Sequence, residues 1–213
     1  MLASQSRFTL PARILSVLLH PVFIPAAIMA FLMYGYPEAT LGISPKNTRL
    51  WLMMVSYISI LFPTLTVFLL WRLKMVNSMQ LHEQKERYGP LMASMLFYFW
   101  IYWVFHREFN APLPIQVWLL SVFLSTVWVF MATIFFKISL HTAAWGSAAA
   151  FLVYLTWHNT SALPFLLLVI LLAGIIGSAR FYLNEHSPKQ LYAGYMVGII
   201  STLMAIAVAA LIP

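Results

Sequence analysis

Three polar clusters interrupt an otherwise apolar chain, and their residue types point to phosphate chemistry. The first is Gln84-Lys85-Glu86-Arg87-Tyr88-Gly89-Pro90, and the second is Lys137-Ile138-Ser139-Leu140-His141-Thr142. The third runs from Ser178 through Arg180, Asn184, Glu185 and His186 to Lys189 and Gln190. Arginine forks and lysine point charges bind phosphate oxygens. A histidine can serve as nucleophile or proton donor near neutral pH. A cationic pocket with two histidines at a membrane surface therefore suits phosphate-ester chemistry on a lipid. Each residue also has an ordinary reading. Lys85 and Arg87 fit juxtamembrane charges, His141 a hydrogen-bonded bundle histidine, Arg180 a snorkelling helix-end residue and His186 a solvated turn residue. Their joint placement on one side of the membrane is what favours a site.

Composition dictates that setting. Of 213 residues, 62% are hydrophobic and 8% are charged, whereas a water-soluble domain carries roughly 25% charged residues. The chain is expected to be one integral membrane domain over 1–213. Cys and Asp are both absent, and the only acids are Glu38, Glu83, Glu86, Glu108 and Glu185. Disulfides, thiolate metal sites and cysteine nucleophiles are excluded. A carboxylate-rich Mg²⁺ or Ca²⁺ site and a pair of neighbouring catalytic carboxylates are disfavoured, so no metal and no cofactor are expected. The net charge of +7 fits orientation or contact with anionic membrane lipid, not nucleic acid.

Seven hydrophobic segments must position the clusters, at about 12–36, 49–73, 91–106, 114–136, 140–157, 163–183 and 190–212. Breakers stop them at Tyr36-Pro37, Ser44-Pro45, Gly89-Pro90, Ala111-Pro112-Leu113-Pro114, Leu163-Pro164 and Ser187-Pro188. Lipid forbids unpaired backbone and no strand alternation is visible, so an all-α transmembrane bundle of six or seven spans follows. The fifth segment is the weakest span. It is short, holds His141, Trp145, Gly146 and Ser147, and is expected to pack inside. With seven spans, the N-terminus and the loops near 74–90, 137–141 and 184–189 share side A. That side holds Arg7, Arg13, Arg72, Lys74, Lys85, Arg87, Lys137, Arg180 and Lys189, against Lys46, Arg49 and Arg107 on side B. The bias places side A in the cytoplasm. Among other residues, His20-Pro21 reads as a structural kink, with placement of its imidazole near the side A pocket as the alternative, His82 as loop-exposed, and His106 and His158 as interfacial toward side B. Gly194-x-x-x-Gly198 reads as a close helix contact within the bundle.

The third cluster resembles the last signature of the type 2 phosphatidic acid phosphatase (PAP2) superfamily, S-R-x5-H-x3-D, with Arg180 and His186 at the same spacing. The run from His186 through Pro188, Gln190, Ala193 and Gly194 to Gly198 resembles the family's H-x-P-x-D-x-x-A-G-x-x-x-G, and Ser139-Leu140-His141 resembles its P-S-G-H. Gln190 stands where the family has Asp. The family's K-x6-R-P is not matched, since Gln80 occupies its Lys position; Lys85 and Arg87 are functional stand-ins. The resemblance implies a metal-independent membrane lipid phosphatase acting on a lipid phosphate monoester or diphosphate. It casts His186 as the nucleophile forming a phosphohistidine and His141 as the proton donor to the leaving group. Arg180 would stabilise the transition state, with Lys85, Arg87 and Ser139 binding phosphate. The alternatives are an inactive relative that binds lipid phosphate or scaffolds partners, and a small lipid transporter. The superfamily also suggests a bacterial inner membrane, where many of its members work on the outer face.

Overall fold

In a computed structural model of the protein, residues 2–81 and 83–211 are described, and of residues 2–7 the backbone alone. His82, expected in a loop, lies outside them. Within this range the chain is helical, without strands. The helices are α1 (Leu2–Leu18), α2 (Ile24–Tyr34), α3 (Pro45–Ser56), α4 (Phe62–Arg72), α5 (Tyr88–Arg107), α6 (Leu113–Phe135), α7 (Leu140–His158), α8 (Leu163–Tyr182) and α9 (Pro188–Leu211). The first two form one broken pass, interrupted where His20 is extended before Pro21. The next two form another, joined through a π turn at Tyr57–Leu61 beside Pro63. Six stretches are long and apolar enough to cross a bilayer, so this is an integral membrane protein. The remaining long helix, α7, is not among those six; it is 19 residues long and largely buried by its neighbours, as expected of the weakest segment.

Helix ends follow the local chemistry. Ser44 and Ser139 cap α3 and α7 by accepting from Asn47 N and Thr142 N. Pro45, Pro114, Pro164 and Pro188 sit in first turns, where a missing N–H costs nothing.

Three helices make the frame. Central α7 packs on α9 and α8, while α9 also packs on α6 and α6 on α5. The α7–α9 approach is close because Gly194 and Gly198 face Thr142 and Ala143. A Cβ on Gly198 would collide with the Ala143 carbonyl, and one on Gly194 would sit 2.7 Å from the Ser139 carbonyl. Hydroxyls lock the three helices together. Ser121 Oγ and Thr202 Oγ1 are 2.6 Å apart, and Ser147 Oγ donates to Gly198 O at 3.1 Å. Interhelical hydrogen bonds and small-residue contacts are the forces available in lipid, where apolar burial adds little.

Contacts between loops separate the two ends. On side A, Ser139 N donates to Gln190 O, and Gln84 Nε2 donates to Thr133 O. On side B, Asn159 donates to Glu38, and Trp51 stacks on Phe109 at 5.3 Å. The side B half is solidly filled by Phe105, Ile115, Leu119, Phe151 and Leu155, all almost wholly buried. The side A half encloses a cavity of about 460 Å³.

Candidate functional site

The cavity draws its polar wall from all three clusters. Arg87, His141, Arg180, Glu185 and His186 line it, joined by His20 from the broken first pass. Elements remote in sequence thus converge at one end of the bundle. Among the described residues, no three His or Glu side chains gather closely enough to hold a metal ion.

His186 lies in the turn between α8 and α9 and is 5% exposed. Its Nδ1 is 3.1 Å from Gln190 Oε1, and the same oxygen accepts from Ser187 N at 3.2 Å. A backbone N–H can only donate, so that atom must be the amide oxygen. Nδ1 of His186 is therefore the donor, and its Nε2 keeps a free lone pair. Gln190 N donates in return to Ser187 Oγ at 3.4 Å. Ser187 and Gln190 thus form a capping box at the start of α9. Burial, with the charges of Arg87, Arg180 and Lys137, pulls the ring down to about 4, against the upward pull of its bond to Gln190. The ring is neutral at pH 7.

Arg180 closes α8. Its Nη2 pairs loosely with Glu185 at 3.6 Å, and its Nε is buried without a hydrogen-bond partner. An orphan buried guanidinium N–H is costly, and an anion would satisfy it. Asn184, at φ 54°, turns the chain so that Glu185 N reaches back to Arg180 O. Arg87 is buried and holds two loops together: Nε donates to Leu81 O at 3.0 Å and Nη1 to Ile138 O at 3.1 Å. The loop before it is organised by Glu86, which accepts from Asn77 N and Glu83 N.

His141 occupies the second position of α7. Its Nε2 meets Ser16 O at 3.0 Å. A carbonyl only accepts, so Nε2 carries a proton and Nδ1 is the exchangeable nitrogen. The ring of His20 packs edge-on against it at 5.2 Å.

Two expected phosphate-binding residues are placed elsewhere. Lys85 is exposed and does not line the cavity. It sits two residues before Arg87 on a single 3₁₀ turn, and residues two apart do not share a face. Ser139 is buried beneath the cavity wall with its oxygen engaged as the cap of α7. Lys137 was not among the expected ligands, yet its charge reaches His186. Partial burial and the neighbouring Arg87 lower its own pKa. His20, read as a kink, contributes its ring to the cavity. His106 bonds Gln116 and His158 bonds Tyr154 O, both away from the cavity toward side B.

The arrangement can hold a phosphoryl group against two guanidinium groups, with a neutral imidazole nitrogen free to attack it. No family model matches this chain, and no characterised protein or solved structure proves similar to it.

Proposed function

We propose that the protein is a metal-independent lipid phosphatase of the membrane, acting on a phosphate monoester or diphosphate. The observation that carries this reading is the free Nε2 lone pair of His186, held neutral in a cavity whose orphan donor is Arg180. In the first step Nε2 attacks phosphorus, the P–O bond to the lipid breaks, and the alkoxide leaves with a proton from Nδ1 of His141, which enters the step as an imidazolium with its Nε2–H still donated to Ser16 O. Arg180 and Arg87 take up the charge on the phosphoryl oxygens. Water then attacks the phosphohistidine, returns a proton to His141, and frees phosphate and His186. The resemblance to the PAP2 superfamily supports the same roles. Side A is proposed to face the cytoplasm of a bacterial cell membrane, on the strength of the charge bias.

A lipid-phosphate-binding protein without turnover is the second reading. Gln190 favours it, because an amide orients His186 but does not stabilise an imidazolium as a carboxylate would. Transport fits less well, since the filled side B half blocks a path across.

Phosphate release from single- and two-chain lipid phosphates, with rapid quench and mass spectrometry of His186, tests the proposal. Release together with an acid-labile phosphohistidine supports it. Binding without either would leave the second reading standing.

A further inference from the structure

The cavity is far deeper than a phosphoryl group requires. From Arg87 to Tyr98 a helix rises about 16 Å, and from Val129 back to Trp118 it covers the same distance. All four residues border the cavity, so α5 and α6 wall it along that whole depth. Several wall hydroxyls are spent on backbone carbonyls. Ser94 Oγ donates to Pro90 O at 2.8 Å, Thr126 Oγ1 to Val122 O at 2.9 Å and Ser147 Oγ to Gly198 O at 3.1 Å. Most of the wall below the charged groups is apolar. The floor is closed where Trp118 Nε1 donates to Pro25 O at 3.1 Å and the Trp118 ring rests on Phe151 at 5.1 Å. Below it Phe105 and Ile115 are fully buried. The cavity's volume of about 460 Å³ leaves room along that depth for hydrocarbon.

We infer that the shaft houses hydrocarbon of the ligand, which is an amphiphile ending in a phosphate or diphosphate; the identity of that headgroup rests on the function proposed above. The floor then acts as a ruler. Lipid tails are as apolar as leucine side chains, so moving a chain from bilayer to shaft gains little from hydrophobicity. Selection comes from fit: a short chain leaves a void, and a long one overpacks the floor. The rival geometry is a chain leaving sideways between α1 and α4, where Val17 and Thr64 both border the cavity and are exposed.

The test uses the full-length protein in nanodiscs and measures affinity for linear alkyl phosphates of increasing length and for the matching alkyl alcohols. Val122→Phe, which narrows the shaft midway, is measured alongside. Affinity should peak at an intermediate chain length. Val122→Phe should move the peak to shorter chains. Affinity that is flat or keeps rising with length and ignores Val122→Phe overturns the shaft. Should Val122→Phe fail to fold, the wild-type length profile alone decides. A length optimum shared by the alcohols with no preference for phosphates would sink the headgroup and the phosphatase reading while keeping the chain site.

Discussion

Gln190 carries two duties, and they constrain what can replace it. Its side chain caps α9 and fixes the His186 tautomer at once. Glutamate keeps the length and the capping box while adding a charge beside the ring. Gln190→Glu should therefore raise the pKa of His186. In the proposed mechanism the neutral ring attacks, so the acid limb of kcat/KM set by His186 should lie near pH 4 in the wild type; in Gln190→Glu this acid limb should move upward. An acid limb near the ordinary imidazole value in the wild type would contradict the burial of His186. The same linkage acts on stability. A folded-state pKa below the unfolded one means that the unfolded chain protonates first, so stability is lost as pH falls from about 6.5 toward about 4. His186→Ala should lower phosphate release by at least about 10³-fold, since it removes the attacking atom. Lys85→Ala should leave turnover within about twofold, as expected of an exposed charge. Arg87→Ala, which strands two carbonyl partners, should cost about 2 kcal/mol or more in detergent unfolding. The spacing of Arg180, His186 and His141 made the heart of this cavity legible. Gln190 was read only against the acid the family has there, and its capping of α9 emerges from the fold. The placement of Lys85 was not legible, because two residues on one short turn diverge in direction.

At the scale of elements, the α7–α9 contact decides whether the site forms at all. It sets Ser139 against Gln190 and so fixes His141 relative to His186. Gly198→Val should push α9 from the Ala143 carbonyl and destabilise the protein by about 1–3 kcal/mol or more, with loss of activity. Gly174→Ala is the matching control. Nothing lies within 4 Å of its added Cβ, and removing a helix-interior glycine should stabilise by up to about 1 kcal/mol. Thermal unfolding of both variants in one detergent checks the pair; equal effects would contradict the close approach. The apolar runs and their proline and glycine stops announced every pass. The breaks within passes were less visible. Pro63 lies inside an unbroken apolar run, and whether a proline there ends a helix or is absorbed by a π turn depends on neighbouring helices. His20-Pro21 was readable as a kink, but which way its imidazole turned depended on α7.

For the molecule as a whole, counting α7 with the six stretches able to cross a bilayer gives seven passes, which would put Leu2 and Leu211 on opposite sides of the membrane. Since the sequence has no cysteine, single cysteines at Ser44 and Ser78 report sidedness cleanly. In intact cells an impermeant thiol reagent should label Ser44→Cys and spare Ser78→Cys. The reverse pattern would invert the proposed orientation and place the cavity outside.

The closed floor beneath Trp118 has a consequence for supply. A cavity confined to the side A half of the bundle reaches one leaflet only, including where it opens between α1 and α4. An anionic headgroup crosses hydrocarbon unaided at a prohibitive cost, so for the phosphatase proposed above, substrate in the opposite leaflet would be out of reach until something else turns it over. In cells, steady throughput would then follow the rate of transbilayer delivery whenever the ligand is made on the far face. The protein would sense the asymmetry of its membrane, not the total amount of lipid in it.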